Sequence, residues 1–267
     1  MGYEDFRMKN ACRGFTILEL LIAMSITIFA TFIITRFFLA EHHIHLTQET
    51  EAEMQQTLRG ALQIMNRELM LTGYGLHPES NGITEFKEDE LEFRTNLRDI
   101  KSFLTISASN GDTTLYVTDG TGSSFDKNDV IIICKKDNPD NCETHTLSED
   151  GTTNLLKISS GLGSTFPVGS RIDLINTISY KYNKDKRELQ RKIDRGRWEP
   201  IAENITENGL LIIYRDKDNN QPAKSSAIRS LNISLTVEGF RRDIYLQENN
   251  GYRRRNAISY LTLRNYI

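Results

Sequence analysis

The chain has 267 residues, a formal net charge of −3 and 26% charged residues. Its mean hydropathy is −0.45. This composition excludes a bundle of membrane helices and a wholly disordered chain, and the length suffices for one or two domains with a sizeable core. The weak negative charge gives no general attraction to nucleic acids.

One long apolar run departs from this polar composition. It extends from Phe15 to Thr35 in the sequence FTILELLIAMSITIFATFIIT, and Glu19 is its one charged residue. About 20 apolar residues cross a bilayer as a helix, whereas the apolar region of a signal peptide has about 7–15. No Ala-x-Ala cleavage site follows the run. The sequence therefore predicts a transmembrane helix over residues 15–35.

Basic residues before the run predict its orientation. Arg7, Lys9 and Arg13 precede it, so the positive-inside rule keeps residues 1–14 in the cytoplasm and sends the rest of the chain across the membrane. Cys12 then lies on the reducing side, while Cys134 and Cys142 lie outside the cytoplasm, where disulfides persist. We expect this pair to form a disulfide around a small loop; metal binding by the two thiolates is the alternative.

The start of the apolar run carries a specific motif. In RGFTILELLIAMS, Gly14 and Phe15 are followed by a hydroxyl residue, two aliphatic residues and Glu19. This segment resembles the processing site of type IV prepilins. The resemblance implies that prepilin peptidase cleaves between Gly14 and Phe15 and that Phe15 becomes the N-methylated first residue. A plain signal anchor, with Glu19 close enough to one membrane edge to reach water, is the alternative.

The same resemblance implies a role for Glu19, which becomes the fifth residue of the processed chain. A carboxylate at bilayer depth costs about 2.5–3.5 kcal/mol on insertion scales. In the family, this glutamate pairs with the N-terminal ammonium of an adjacent subunit, which offsets the cost only when subunits stack. Glu19 is thus the predicted assembly residue.

The helical pattern continues beyond the membrane. Apolar residues recur at spacings of three and four as far as Leu69, which predicts one helix from Phe15 to about Thr72. At 1.5 Å per residue this helix is about 87 Å long, so its second half projects from the bilayer and packs on the head. Gly73 is the expected left-handed cap at its end.

Residues 73–267 consist mainly of short alternating apolar runs between Gly, Asn and Asp turns, which predicts a β-rich head. Within it, GSSFDKNDVIII and GSTFPVGSRIDLI resemble each other about 40 residues apart. They suggest an inserted β-module over about 103–176 made of two similar halves, although Gly-Ser turns before apolar strands also give such a pattern. The predicted class is α+β, a long N-terminal helix packed on a β-rich head, as in type IV pilins.

Further segments resemble PilW-type minor pilins. They are LRGALQIMNRELMLTGYG, ISYKYNKDKRELQRKI, WEPIAENI, IRSLNISLTVEG and RRRNAISYLTLRN. This resemblance implies a minor pilin that joins other minor pilins and the major pilin at an inner-membrane assembly platform, starts pilus assembly and stays near the fibre tip. Its head is expected in the periplasm, and later outside the cell. A type II secretion pseudopilin, or a tip adhesin or DNA receptor that binds through residues 103–176, are alternatives.

No cofactor and no catalytic motif are expected from the sequence. Asp216, Asp218 and Asn220 alternate like the start of a calcium loop, but Gln221 and Ala227 replace the glycine and glutamate that such a loop requires. His42, His43 and His45 point around a helix and do not form an i, i+4 chelating pair.

Two arginine clusters, Arg241–Arg242 and Arg253–Arg255, are the candidates for binding phosphate groups. Residues 1–14 contain three basic and two acidic residues, so the chain without them has a formal charge of −4. DNA binding is therefore not the expected function.

Overall fold

The computed structural model describes residues 16–76, 82–138, 141–243 and 245–264. The chain separates into two compact units, one up to Thr50 and one from Glu51 onward. One helix, α1 (Ile17–Leu69), runs through both units. Its C-terminal part packs within the second unit on a β-rich head, which confirms the predicted α+β, type IV pilin-like class.

The helix ends at Leu69, three residues before the predicted Thr72. Beyond Leu69 the chain tightens into i to i−3 hydrogen bonds, which end the α-helix. The N–H of Leu71 donates to the carbonyl of Glu68 and that of Thr72 donates to the carbonyl of Leu69, both at 3.0 Å. Gly73 follows with φ +80°, the left-handed conformation predicted for it. The predicted start at Phe15 lies outside the described residues.

The head contains thirteen strands among its described residues and three short 3₁₀ turns, at Gly122–Ser124, Ser225–Ala227 and Asn249–Gly251. The strands are β1 (Ile83–Phe86), β2 (Glu90–Thr95), β3 (Lys101–Phe103), β4 (Thr114–Tyr116), β5 (Val130–Cys134), β6 (Cys142–Thr146), β7 (Leu155–Lys157), β8 (Arg171–Asn183), β9 (Glu188–Ile193), β10 (Glu199–Ala202), β11 (Ile205–Arg215), β12 (Ser230–Arg242) and β13 (Tyr252–Thr262). Short strands between turns are therefore the dominant structure, as the alternating pattern predicted.

Strand β8 connects two parts of the largest sheet. Its first residues pair with β3 and β5, and its later residues pair with β2 and β9, all antiparallel. Strands β1, β6 and β10 extend this sheet, and a separate sheet has the order β11-β12-β13. A single strand therefore belongs to both parts of the sheet.

The larger hydrophobic core holds the end of the helix against the sheets. Six apolar residues on one stripe of α1 are buried in it: Met54, Leu58, Ala61, Leu62, Met65 and Leu69. Their partners come from the later part of β8, from β1, β2 and β9, and from β11-β12-β13. The spacing of three and four residues thus serves to cover both sheets at once.

A second hydrophobic core lies farther along the chain. All its buried residues fall between Leu104 and Leu174, within the range 103–176 that the sequence suggests for an inserted module. The two similar segments each place one phenylalanine at the centre, and both Phe125 and Phe166 are fully buried. The exact bounds of the module stay a prediction.

The two similar segments are related by an approximate twofold axis in the structure. A shift of 41 residues takes Phe125 to Phe166, and the same shift takes Ile132 to Asp173, which directly face each other where β5 pairs with β8. Leu115 and Leu156 face each other in the same way where β4 pairs with β7. Each half therefore pairs with its own counterpart in the other half.

Individual hydrogen bonds repeat under this relation. The N–H of Val117 donates to Asn154 at 2.8 Å, and its counterpart, the N–H of Ile158, donates to Thr113 at 2.9 Å. In the first strand of each half the shift is 43 residues, as from Leu104 to Leu147. Even a turn is preserved, because Asn128 and its counterpart Gly169 both have positive φ, +69° and +86°. The internal repeat is thus a true structural duplication.

This duplication predicts the effect of core substitutions. We expect Phe125→Ala and Phe166→Ala each to lower the free energy of unfolding by about 3–5 kcal/mol, because each removes a fully buried ring from the same core. Denaturant unfolding of the chain in detergent, followed by circular dichroism, measures the change. Lys127→Ala, at an exposed position, should stay within about 0.5 kcal/mol. A loss below about 1 kcal/mol at either phenylalanine would contradict the shared core.

Candidate assembly site

The N-terminal end of α1 is closed by a reciprocal hydrogen-bond arrangement. The backbone N–H of Thr16 donates to Oε2 of Glu19 at 2.9 Å, and the Thr16 hydroxyl donates to the same atom at 3.1 Å. In return, the N–H of Glu19 donates to Oγ1 of Thr16 at 3.2 Å. This is a capping box, which satisfies N–H groups that the first helical turn leaves without partners. The sequence analysis missed it, although the spacing T-x-x-E at positions 16–19 is its signature.

The capping box itself gives Glu19 no positive partner. Its donors are an amide and a hydroxyl, which are neutral, and the positive end of the helix dipole adds a favourable interaction with the negative charge. The Glu19 side chain is also exposed within the chain and is therefore accessible to a positive group from outside. The box uses atoms of Thr16 and Glu19 alone, so cleavage before Phe15 would not remove it. Gly14 and Phe15 themselves lie outside the described residues.

The apolar part of the helix has no covering within its own unit. Its large apolar side chains from Ile17 to Ile34 are 51–80% exposed, and the helix is long and apolar enough to cross a membrane. Its hydroxyl groups are satisfied internally, because Ser25, Thr27, Thr31 and Thr35 each donate to the carbonyl four residues earlier at 2.8 Å. The surface can therefore face lipid or other helices without exposing an unbonded hydroxyl.

The end of the helix is fixed to the head by a buried glutamate. Glu68 accepts hydrogen bonds from the hydroxyl of Tyr180 and from the guanidinium of Arg191, whose Nε lies 2.9 Å from Oε2. Burial, reinforced by the neighbouring Glu68 charge, raises the pKa of Tyr180, so its hydroxyl remains a donor. This network joins α1 to β8 and β9 and specifies one orientation of the helix on the sheet.

A second ionic group joins the helix to β13. Oε1 of Glu51 pairs with Arg253 at 3.1 Å, and Oε2 pairs with Arg255 at 2.8 Å. Arg253 also pairs with Asp243 at 2.7 Å, and Arg254 pairs with Glu238 at 2.8 Å. All three arginines of this candidate phosphate-binding cluster are therefore engaged by carboxylates of the same chain.

The candidate calcium residues form a hydrogen-bonded turn. Oδ1 of Asp216 accepts from the N–H of Asp218 at 2.9 Å and from that of Asn220 at 2.8 Å, and Asn219 has φ +63°. This carboxylate oxygen closes the β11–β12 connection in the manner of an Asx turn. In the described part of the chain, no group of three or more His, Cys, Asp or Glu residues is arranged to hold a metal ion.

The disulfide lies at the end of the β5–β6 hairpin. Cys134 and Cys142 face each other in register, with an S–S distance of 2.03 Å and a Cα–Cα distance of 4.1 Å. Nearby on β6, Glu143 accepts from the N–H of Gly163 at 2.7 Å and from the Ser164 hydroxyl at 2.6 Å. Although desolvation opposes it, these bonds together with His145 hold the pKa of Glu143 below its usual value. The Glu143 carboxylate thus connects the start of the second similar segment, at Gly163 and Ser164, to the β5–β6 hairpin.

The start of the chain matches a known protein family model. Residues 9–34 match the family model described as the prokaryotic N-terminal methylation motif. No curated protein matches the chain significantly. The match supports a type IV pilin or pseudopilin, processed by prepilin peptidase and assembled with other pilins, and proteins of this kind are typically structural.

The Glu68 network predicts strong coupling between its members. We expect Glu68→Ala to lower the free energy of unfolding by about 3 kcal/mol or more, because it leaves Arg191 and the Tyr180 hydroxyl partly buried without their acceptor. Replacing both charges, as Glu68→Leu with Arg191→Met, should cost less than the losses of the single variants Glu68→Leu and Arg191→Met added together. Denaturant unfolding of the four proteins of this cycle provides the measurement. Additive losses would contradict a coupled network.

Proposed function

We propose that the chain is a minor pilin of the PilW kind. In this proposal residues 1–14 are a leader, prepilin peptidase cleaves between Gly14 and Phe15, and the new N-terminus is methylated. Residues 15–35 of the 15–72 helix anchor the subunit in the inner membrane, with the head, residues 73–267, in the periplasm. The subunit then joins other minor pilins and the major pilin at the assembly platform, initiates the pilus and stays near its tip.

One combination of features carries the proposal. The methylation motif matched at residues 9–34 belongs to a helix whose large apolar side chains are exposed from Ile17 to Ile34. The same helix is buried by its C-terminal stripe in a β-rich head. A helix that only anchors a head in the membrane would not require a carboxylate within its apolar run. A helix that packs among the helices of other subunits has a use for one, because the carboxylate selects a position next to a positive group.

Glu19 supplies this selection in the proposed assembly. The capping box retains the carboxylate at the helix start but adds no positive charge. The ammonium created at Phe15 of a neighbouring subunit would add it, and the pair is favourable only in the stacked arrangement. The capping box and the charge pair are separable, because glutamine can form the first but not the second.

Three variants of the full chain separate these two roles. Glu19→Gln keeps a capping side chain without charge, Glu19→Ala removes both, and Thr16→Ala removes the capping hydroxyl while the charge remains. If charge pairing drives assembly, the two Glu19 variants should each enter pili about tenfold less than the wild type, a factor equal to about 1.4 kcal/mol. Thr16→Ala should enter nearly normally.

Incorporation is measured by immunoblotting of sheared pili, with pilus number counted by electron microscopy and leader removal checked by gel mobility. Only variants that lose their leader normally are compared, because a processing defect would mimic an assembly defect. Normal incorporation of Glu19→Gln would contradict the charge-pairing role and would leave helix capping as the function of this residue.

The methylation motif is shared with pseudopilins, so the proposal also needs a test of the system in which the chain works. Deletion of the gene should lower the pilus number while protein secretion continues. Loss of secretion with normal piliation would indicate a type II pseudopilin instead. Loss of adhesion or DNA uptake with normal piliation would indicate a tip receptor. Either of these two results would overturn the assembly role.

A further inference from the structure

An exposed apolar patch lies on one face of the duplicated region and is formed by residues of both halves. It consists of Phe103, Ile106, Tyr116 and Val168, which are 44%, 53%, 44% and 54% exposed. The backbone brings the four together, because the N–H of Thr105 donates to Tyr116 and that of Gly169 donates to Leu104, at 2.9 and 2.8 Å. We call these four residues the apolar patch.

The duplication provides an internal comparison for this patch. The repeated hydrogen bonds and strand pairings identify the counterpart of each patch residue on the equivalent face. In the order Phe103, Ile106, Tyr116 and Val168, these counterparts are Thr146, Glu149, Lys157 and Lys127. Lys157 and Glu149 form an ion pair at 2.9 Å, and they correspond to Tyr116 and Ile106. Equivalent backbone positions therefore form a polar surface on one face of the duplicated region and an apolar surface on the other face.

This contrast shows that the fold does not need the apolar side chains. Both halves contribute to the same buried core through Phe125 and Phe166, and the polar half keeps its backbone hydrogen bonds without any exposed aromatic residue at these four positions. Exposed clusters of large apolar residues on exported proteins favour association with another surface. The apolar patch thus has the character of a contact surface.

Basic residues flank the patch on one side. Lys101 and Phe103 lie on the same side of β3, Arg171 is the cross-strand neighbour of Phe103, and the Lys136 side chain approaches Gly169 beside Val168. Asp99 pairs with Lys101 at 3.2 Å, and Asp173 pairs with Arg171 at 2.6 Å from a buried position. Lys101 and Arg171 therefore each have a carboxylate partner within the chain, and Lys136 adds a third positive group beside the patch.

These basic residues also occur on one face of the duplicated region and not on the equivalent face. The counterparts of Lys101, Arg171 and Lys136 are Thr144, Val130 and Thr177, which are uncharged. Apolar centre and basic border thus occur together on one face and are both absent from its counterpart. Complementary charge at an interface border selects the partner and its orientation, while the apolar centre provides most of the affinity.

We propose that the apolar patch docks the head of another prepilin-type subunit, through an apolar surface bordered by carboxylates. The inference rests on the proposed function, because subunits anchored by the same kind of helix are held in one membrane. An acidic border on the partner would meet Lys136, and would share Lys101 and Arg171 with their partners Asp99 and Asp173. The counterpart face, with Lys127, Glu149 and Lys157, stays in water.

Photo-crosslinking in the source bacterium tests this docking in the full chain. A photoreactive phenylalanine analogue is introduced at Tyr116, and in a matched variant at its counterpart, Lys157. The Tyr116 probe should give an adduct whose partner, identified by mass spectrometry, carries a prepilin-type N-terminus. The Lys157 probe should give about tenfold less of it, as expected for a position outside the contact surface.

Charge reversal tests the basic border separately. In the chain with the Tyr116 probe, Lys136→Glu should lower the yield of the adduct severalfold, because it faces the proposed carboxylates with a like charge. Lys127→Glu, an equal change on the counterpart face, should leave the yield unchanged. Formation of the Cys134–Cys142 disulfide, followed by thiol labelling, verifies that each variant is folded.

Equal adduct yields from the two probes, an adduct with no other prepilin-type subunit, or equal effects of the two charge reversals would overturn the inference. These failures are distinct from failure of the proposed function. If the adduct is absent while deletion of the chain still abolishes pili, the docking surface is wrong and the pilus role stands. If the adduct forms while piliation does not depend on the chain, the pilus role is wrong and the docking stands.

Discussion

A carboxylate near the start of an apolar helix is the constraint on which this molecule depends. Glu19 satisfies its own helix end through Thr16, yet no neighbouring positive charge is supplied by the described residues of the first unit. The resulting cost in lipid is removed most simply by an ammonium group, and cleavage before Phe15 would create one on every copy of the chain. In the proposed assembly, this one residue would link processing, membrane anchoring and subunit contact.

The contrast within one helix makes this argument stronger. Glu68 and Glu51, on the part of α1 that packs in the head, are both paired with arginines of the same chain. Each of these two acids of α1 therefore has a cationic partner in the head. Glu19 lies in the other compact unit, and an ammonium group from another subunit is the partner that the proposed assembly gives it.

The duplicated region adds a second kind of specificity. Its two halves share a core and a ladder of equivalent hydrogen bonds, so differences between their outer faces are not dictated by folding. One face is polar and the other carries aromatic and aliphatic residues next to basic ones. Strand β8 connects this region to the sheet that receives the helix.

Local patterns in the sequence predicted much of this structure. The capping box of Thr16 and Glu19 has a local signature that was overlooked, and non-local contacts account for the other features that were not predicted. The apolar spacing in α1, the short strands and the left-handed Gly73 depend on neighbouring residues, and each was found. The similarity of the segments around Phe125 and Phe166 hinted at the duplication, but the direct pairing of Ile132 with Asp173 required the structure. Partners of Glu68 lie more than a hundred residues away in sequence, at Tyr180 and Arg191, and no periodicity indicates them.

The most direct measurement of the central claim is mass spectrometry of the N-terminal peptide of the chain recovered from outside the cytoplasm. The account predicts a peptide that begins at Phe15 and carries one added methyl group on its amine. A chain that still begins at Met1, or one cut at any other position, would not carry its N-terminal ammonium group at Phe15 and would contradict the account.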